Sequence, residues 1–167
     1  KIMQISEATS GGVYTHLTQL ANHIDKKNFE QIFILSSQKN EDLRKKKTFY
    51  ENELIILDID SKVKFFNYLQ CILKIRKYIK AYQPDIVHCH SSKAGLVGRL
   101  ATVFVRNVKV VYTPHAFAIQ PYNDNLKNFI FSIVERFLAY VTNKIICVSY
   151  GEREVATKYA ICDSKKL

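Results

Sequence analysis

Glycine and proline are scarce in this 167-residue chain, at five and three residues. That scarcity, with an apolar fraction of 47%, excludes a disordered, collagen-like or low-complexity chain and points to a packed core. No internal repeat is present. No apolar run approaches ~20 residues free of charge, so no segment is expected to span a bilayer as a helix. Cys71, Cys89, Cys147 and Cys162 form no CxxC pair, and read as buried free thiols of a reducing compartment. Lys1, not Met, comes first, so a short leader is expected ahead of it. The run into Ile2 is strand-like and has no signal-peptide pattern.

Acids are the other shortage. Fifteen Asp and Glu face 25 Lys and Arg, giving a formal charge of +10. Between Ser61 and Asn123 the cations are Lys62, Lys64, Lys74, Arg76, Lys77, Lys80, Lys93, Arg99, Arg106 and Lys109, and Asp85 is the only acid. Such a surplus suits a phosphate-bearing ligand, an anionic membrane surface or nucleic acid; a solvated lysine-rich face is the plainer reading. No helix-turn-helix, RRM or zinc-finger pattern is present, so nucleic acid is not the expected partner.

Apolar periodicity alternates between strand and helix. Strands are predicted at 2–6, 31–35, 54–57, 85–89, 109–112 and 144–148. Helices are predicted from Gly11-Gly12 onward, over 64–82 with Phe65, Leu69, Ile72, Ile75 and Ile79 on one side, over 93–104, 126–141 and 152–159. Residues 40–50 read as a basic loop or short exposed helix. Pro84 sits where a helix stop belongs, and Ser91 or Ser92 can cap the next helix. This alternation, with apolar strands such as Ile145-Ile146-Cys147-Val148, implies an α/β, Rossmann-like, doubly wound and mostly parallel sheet with helices on both faces. Ligands bind beyond the C-terminal strand ends of such sheets. Three ends are polar and small here: Ser6 to Gly12, His88 to Ser92, and Tyr112-Thr113-Pro114-His115-Ala116-Phe117. Pro114 ends its strand and leaves His115 to project into the crevice.

Gly11-Gly12 permits a sharp turn, and the helix start after it offers free N–H groups to a phosphate. His88 and His90 alternate along a strand and share a face. Two histidines could begin a zinc site, but a third ligand is needed and none lies nearby in sequence, so no metal is expected. His88 is expected to pack against the sheet. His16 either faces the cleft or is a surface histidine. The helix over 64–82 carries Phe65 and Phe66 beside Lys74, Arg76, Lys77 and Lys80. It reads as a sheet-covering helix with a basic outer face, able also to lie on an anionic membrane.

These motifs together resemble the N-terminal domain of family-four retaining glycosyltransferases of the GT-B fold, of the kind that builds bacterial surface polysaccharides. The matching segments are Gly11-Gly12-Val13-Tyr14-Thr15-His16-Leu17, Pro84 to Gly95 with Gly98-Arg99, Tyr112-Thr113-Pro114-His115, and Ile146-Cys147-Val148-Ser149 with Glu152. The resemblance implies that residues 1–167 form one acceptor-side domain, and that a C-terminal, donor-binding domain is absent from the chain. It implies His115 as the catalytic residue, beside the reacting sugar carbon, and Gly11 and Gly12 at the donor diphosphate. It implies Tyr14, His16, His90, Ser91, Ser92, Lys93 and Phe117 around the acceptor. The implied partners are a nucleotide-sugar, by default UDP-linked, and a saccharide or lipid-linked acceptor. No cofactor is implied. The implied location is cytoplasmic, or peripheral on the inner face of the cell membrane. By itself the chain is expected to be inactive; the alternative is a non-catalytic subunit that binds acceptor or membrane and pairs with a separate catalytic chain.

Overall fold

The computed structural model describes residues 1–36, 49, 52–59 and 65–167. Six strands form a single parallel sheet: β1 (Ile2–Ser6), β2 (Gln31–Leu35), β3 (Glu53–Ile56), β4 (Ile86–His90), β5 (Lys109–Thr113) and β6 (Lys144–Ile145). Their order is β3-β2-β1-β4-β5-β6. Winding runs outward from β1 to β3, then returns to the other side of β1, so the switch point lies between β1 and β4. β1 and β2 are buried along their whole length, as strands covered on both faces must be.

Among the described residues five helices do the covering: α1 (Gly11–His23), α2 (Phe65–Tyr82), α3 (Ser92–Thr102), α4 (Asn125–Ala139) and α5 (Tyr150–Lys158). Leu17 and Ala21 of α1 close over Phe33, Leu35 and Phe49. The larger core joins Ile75 and Ile79 of α2, Ala94, Val97 and Ala101 of α3, and Ala156 of α5 to strand residues including Ile5, Val87 and Tyr112. α3 approaches the sheet closely. A Cβ on Gly95 would lie 2.4 Å from the Tyr112 ring, and one on Gly98 would lie 2.5 Å from Cys89 Sγ.

Three expectations change. β6 pairs only at Lys144 and Ile145; Ile146 and Val148 are exposed, because this is an edge strand with no neighbour beyond it among the described residues. Leu69 faces outward from α2, while Arg76 turns inward and donates to the Leu100 and Ala101 carbonyls at the end of α3. Arg76 therefore serves a helix C-terminus rather than the basic outer row. The reading of residues 40–50, apart from Phe49, and of the Phe65 side chain lies outside the described residues.

α4 is oriented opposite to its composition. Its buried residues are Asn128, Ser132, Glu135, Leu138 and Ala139, and its exposed ones include Leu126, Phe129, Ile130, Ile133, Val134 and Phe137. Polar partners decide which face turns in. Arg99 is fully buried and donates from Nη2 to Glu135 Oε2 at 2.8 Å and from Nε to the Gly95 carbonyl. Its guanidinium lies 3.8 Å from the Tyr112 ring centroid, and the Tyr112 hydroxyl donates to Glu135 Oε1. At the other end the Asn128 amide is bonded to both the N–H and the carbonyl of Gln120. A buried guanidinium without its carboxylate would cost several kcal/mol, so Arg99 holds Glu135, and with it the polar face of α4, toward the sheet.

Candidate functional site

Parallel register sets the site. Ser6 pairs with His90, and His90 pairs with Thr113. The ends of β1, β4 and β5 are thus level, and their following loops emerge side by side at the switch point. This brings together histidines that sequence spacing leaves far apart. The His16 ring centroid lies 5.0 Å from that of His115 and 5.5 Å from that of His90. His88 lies behind His90, ring centroids 4.0 Å apart and tilted by 40°, and is bonded through Nε2 to the Thr113 hydroxyl at 2.8 Å.

A directional chain of hydrogen bonds runs through the sheet to His115. The Leu20 carbonyl can only accept, so it takes a proton from Gln31 Nε2 at 3.1 Å. Gln31 Oε1 then accepts from Gln4 Nε2 at 3.3 Å, and Gln4 Oε1 accepts from His90 Nε2 at 2.9 Å. This fixes His90 with its proton on Nε2 and a lone pair on Nδ1. His90 Nδ1 sits 3.2 Å from His115 Nε2 and must accept from it. A backbone carbonyl thus leaves neutral His115 with a free acceptor, Nδ1.

The rings are held neutral. Burial, seconded by His16, pushes the pKa of His115 down to about 4. Burial, with His16 and His115 nearby, pushes His88 down to about 3, and His90 lies well below the ordinary value for the same first reason. His16 is lowered by burial. At neutral pH such imidazoles accept and donate hydrogen bonds without charge.

The loops are strained and pinned by carboxylates. Ser91, His115 and Ala116 have φ of 74°, 52° and 119°, values uncommon for residues with a Cβ and often found where function demands geometry. The Glu7 carboxylate takes the Ser91 hydroxyl and the Ala94 N–H. Glu7, not Ser91, therefore caps α3, since Ser91 makes no side-chain cap bond. Ser149 caps α5, its hydroxyl accepting from Glu152 N, while Glu152 Oε2 reaches past the cap to accept from Val148 N at 3.0 Å. The Glu152 carboxyl also takes the Ala116 N–H, though burial leaves its pKa raised.

Among the other predicted site residues, Gly11 has φ of 65° and begins α1, and a Cβ on either Gly11 or Gly12 would meet nothing within 4 Å. Ser92 donates to the Ala116 carbonyl at 3.3 Å, and Lys93 is exposed. Two placements are corrections. Phe117 is buried against Tyr112, with ring centroids 6.3 Å apart, because the turn at His115 and Ala116 sends the chain back into the core. His90 is fully buried; it stands behind His115 rather than lining an open pocket. Tyr14 is half-buried edge-on to Phe49, 6.3 Å away, in the smaller core cluster. A groove of about 650 Å³ along β6, lined by Ile145, Ile146, Val148 and Tyr150, is a consequence of the open sheet edge and includes none of the histidines.

Sequence reasoning missed Gln4, Gln31 and Glu7. Glutamine in the strand runs IMQIS and QIFIL was the available signal, since a buried amide needs partners. It also lacked the third histidine for a metal. His16, His90 and His115 each offer a ring nitrogen, all within 4.8 Å of one another, a set able to hold a divalent ion with one position open.

The profile of Glycosyltransferase Family 4 matches residues 10–167. An Escherichia coli UDP-Gal:alpha-D-GlcNAc-diphosphoundecaprenol alpha-1,3-galactosyltransferase is 30% identical over 99 residues, covering 59% of this chain and 26% of that protein. The O-antigen biosynthesis glycosyltransferase WbnH of Escherichia coli is 28% identical over 152 residues, covering 91% of this chain and 42% of that protein. The solved apo form of the lipopolysaccharide outer core galactosyltransferase WaaB superposes with a TM-score of 0.66 at 18% identity, over 99% of this chain and 43% of that one. The chain therefore spans less than half the length of these relatives. Its parallel sheet is the Rossmann-like architecture of the GT-B N-terminal domain, and the chain belongs to glycosyltransferase family 4.

Proposed function

We propose that the protein carrying this chain transfers a sugar from a nucleotide-sugar donor to a saccharide acceptor in surface-polysaccharide synthesis, and that residues 1–167 are its acceptor-side domain. The observation that carries this is the meeting of His16, His90 and His115 with the Gly11-Gly12 helix start at the β1/β4 switch point.

The residues suit a division of labour. Free N–H groups at the start of α1, which no side chain at Gly11 or Gly12 shields, receive the donor diphosphate. His115 Nδ1 accepts a hydrogen bond from a sugar hydroxyl and orients the reacting carbon, while His90 and Gln4 hold its ring. His16, Ser92 and Lys93 border the acceptor, and Ser91, buried with its hydroxyl on Glu7, shapes the loop behind them. Glu7 and Glu152 commit their oxygens to loop donors, so neither serves as a nucleophile. In this reading transfer is retaining and follows a front-face route, not the two-carboxylate scheme of glycosidases. No metal takes part.

A donor carrying UDP and an acceptor carried on a lipid diphosphate are the substrates in this reading, supported by the name of the galactosyltransferase relative. The enzyme then works on the inner face of the cell membrane as a peripheral protein. A C-terminal domain completes the cleft, so the chain alone turns over no donor.

The test joins the chain to its full-length protein and compares wild type with His115→Ala in donor hydrolysis and transfer. A fall of ~10²-fold or more in kcat/KM supports the assignment. Turnover by residues 1–167 alone, or an unimpaired variant, refutes the corresponding part.

A further inference from the structure

The three histidines at the switch point are spaced more closely than holding a sugar requires. His90 Nδ1 and His115 Nε2 stand 3.2 Å apart. Two imidazole nitrogens bonded to one tetrahedral zinc ion at ~2.0–2.1 Å are about 3.3 Å from each other. A ring nitrogen of His16 lies within 4.8 Å of both. The edge that carries a hydrogen bond here has the length of an edge of a metal site.

We propose that His16, His90 and His115 form an inhibitory site for a late divalent transition metal, zinc above all. Three further observations favour it. First, the support behind the ligands is already in place. Gln4 Oε1 takes the Nε2 proton of His90 at 2.9 Å, and Gln4 Nε2 is held in turn by Gln31 at 3.3 Å. A ligating imidazole is ordinarily fixed in this way, its remote N–H given to an oxygen so that the near nitrogen keeps its lone pair toward the ion. Second, His16 and His115 are half-buried and His90 is buried, so the set is open from the cleft and closed behind. Third, no carboxylate or thiol among the described residues joins the set; Glu7 turns to Ser91 and Ala94 instead. Imidazoles alone suit zinc, copper or nickel, whereas magnesium and calcium take oxygen ligands. Three ligands leave a fourth position open toward the cleft.

Binding asks for two small changes. Rotation of the His16 side chain brings its nitrogen closer by up to ~1.5 Å, to the spacing of the other pair. Neutral His115 moves its proton from Nε2 to Nδ1, so that Nε2 bonds the ion, while His90 keeps its own proton on Nε2; the pair gains and loses none. The second change is what inhibits. His115 Nδ1 becomes a donor, and the acceptor that receives the sugar hydroxyl is gone. The ion is thus a brake on transfer and not a cofactor for it. Inhibition rests on the role proposed for His115, whereas the metal site itself stands on geometry.

The experiment titrates cobalt(II) chloride into the full-length protein, follows the visible bands of a four-coordinate cobalt ion, displaces it with zinc, and assays transfer on the same samples. Wild type should show the bands, lose them to zinc but not to excess magnesium, and melt at a higher temperature when zinc is bound. His16→Ala, at a half-exposed position of α1, should weaken binding by ~100-fold or more. His115→Asn should do the same from another loop, so that one misfolded variant does not decide the matter. Gln4→Met should weaken it by ~10–100-fold, as loss of a ligand's outer partner does. His23→Asn should bind as wild type does, since His23 meets only the Gln19 carbonyl of its own helix. In the zinc-loaded protein ¹⁵N shifts should place the His115 proton on Nδ1. Wild type without cobalt bands or zinc binding, or His16→Ala and His115→Asn variants that fold and bind as tightly as wild type, overturns the proposal. Zinc bound at the three histidines with transfer at full rate overturns its inhibitory half. Metal binding by a protein that transfers no sugar at all, with or without chelator, would instead sink the transferase reading and leave the metal site standing.

Discussion

Replacing Gln4 by methionine, a side chain of similar length without the amide, tests how far the hydrogen-bond chain governs His115. Gln4 is buried and accepts from His90 Nε2 at 2.9 Å. Its loss leaves a buried N–H without a partner, a cost of about 1–3 kcal/mol. His90 can avoid that cost by moving its proton to Nδ1, the atom facing His115 Nε2 at 3.2 Å. His115 must then place its own proton on Nδ1 and surrenders the acceptor meant for the sugar hydroxyl. Losing about 1.4–2.8 kcal/mol of transition-state orientation corresponds to a fall of about 10–100-fold in kcat/KM. The fold should survive, because the thioether fills the same space. Two readouts are needed: steady-state kinetics of the full-length protein, and ¹⁵N chemical shifts of the His115 ring, which distinguish the tautomers. A merely structural role for Gln4 would lower the melting temperature and leave the ring shifts alone. Unchanged ring shifts with unchanged kcat/KM would refute the chain.

Other consequences are equally measurable. Glu135→Ala strands the buried Arg99 and should cost about 3–5 kcal/mol, a drop of roughly 6–20 °C in melting temperature for a chain of this size; Arg99→Met/Glu135→Leu should recover most of it, and a loss below about 1 kcal/mol in the single variant would refute the packing account. The histidines make stability fall with acid: unfolded rings bind protons near pH ~6.5, whereas folded His115 and His88 do so only near about 4 and about 3. Stability is thus full above ~6.5 and declines as pH falls from there toward about 4 and then about 3, since the unfolded state takes up the protons first; denaturant titrations at stepped pH should show a shallower decline for His115→Asn. If transfer needs no metal, a chelator leaves the rate unaltered while micromolar zinc, held by His16, His90 and His115, inhibits and loses potency in His16→Ala. Activity abolished by chelation and restored by a divalent ion would overturn the metal-free mechanism.

Much of the architecture was legible because each strand-to-helix unit carries its own period. The helix spacing in α1 and the alternation of strand and helix needed no tertiary information. The strand β6 was over-extended because an apolar run such as Ile145 to Val148 looks alike in a central strand and in a segment leaving the sheet edge. The site was legible at the strand ends, where Pro114 stops β5 and releases His115. What could not be read was the partner across the sheet. His16 and His115 come together only through the register of β1, β4 and β5, and sequence separation hides that. Phe117 is a pocket residue by the resemblance alone, and its residue type carries no sign of where it turns. The positive φ values that fold it inward are a property of the turn, not of the residue type. In α4 the polar spacing of Asn128, Ser132 and Glu135 was visible, but composition favoured turning the apolar stripe inward. The buried cation at Arg99 reverses that preference.

That reversal bears on how the protein behaves outside its setting. A helix anchored by hydrophobic contacts can roll or repack to hide an exposed leucine. One anchored by a two-point carboxylate grip and a backbone-matched amide cannot, since a small rotation breaks several directional bonds at once. Its greasy side is therefore a permanent fixture. Where nothing covers that side it should find whatever apolar surface is at hand, so self-association on purification would report an uncovered face rather than a failure to fold.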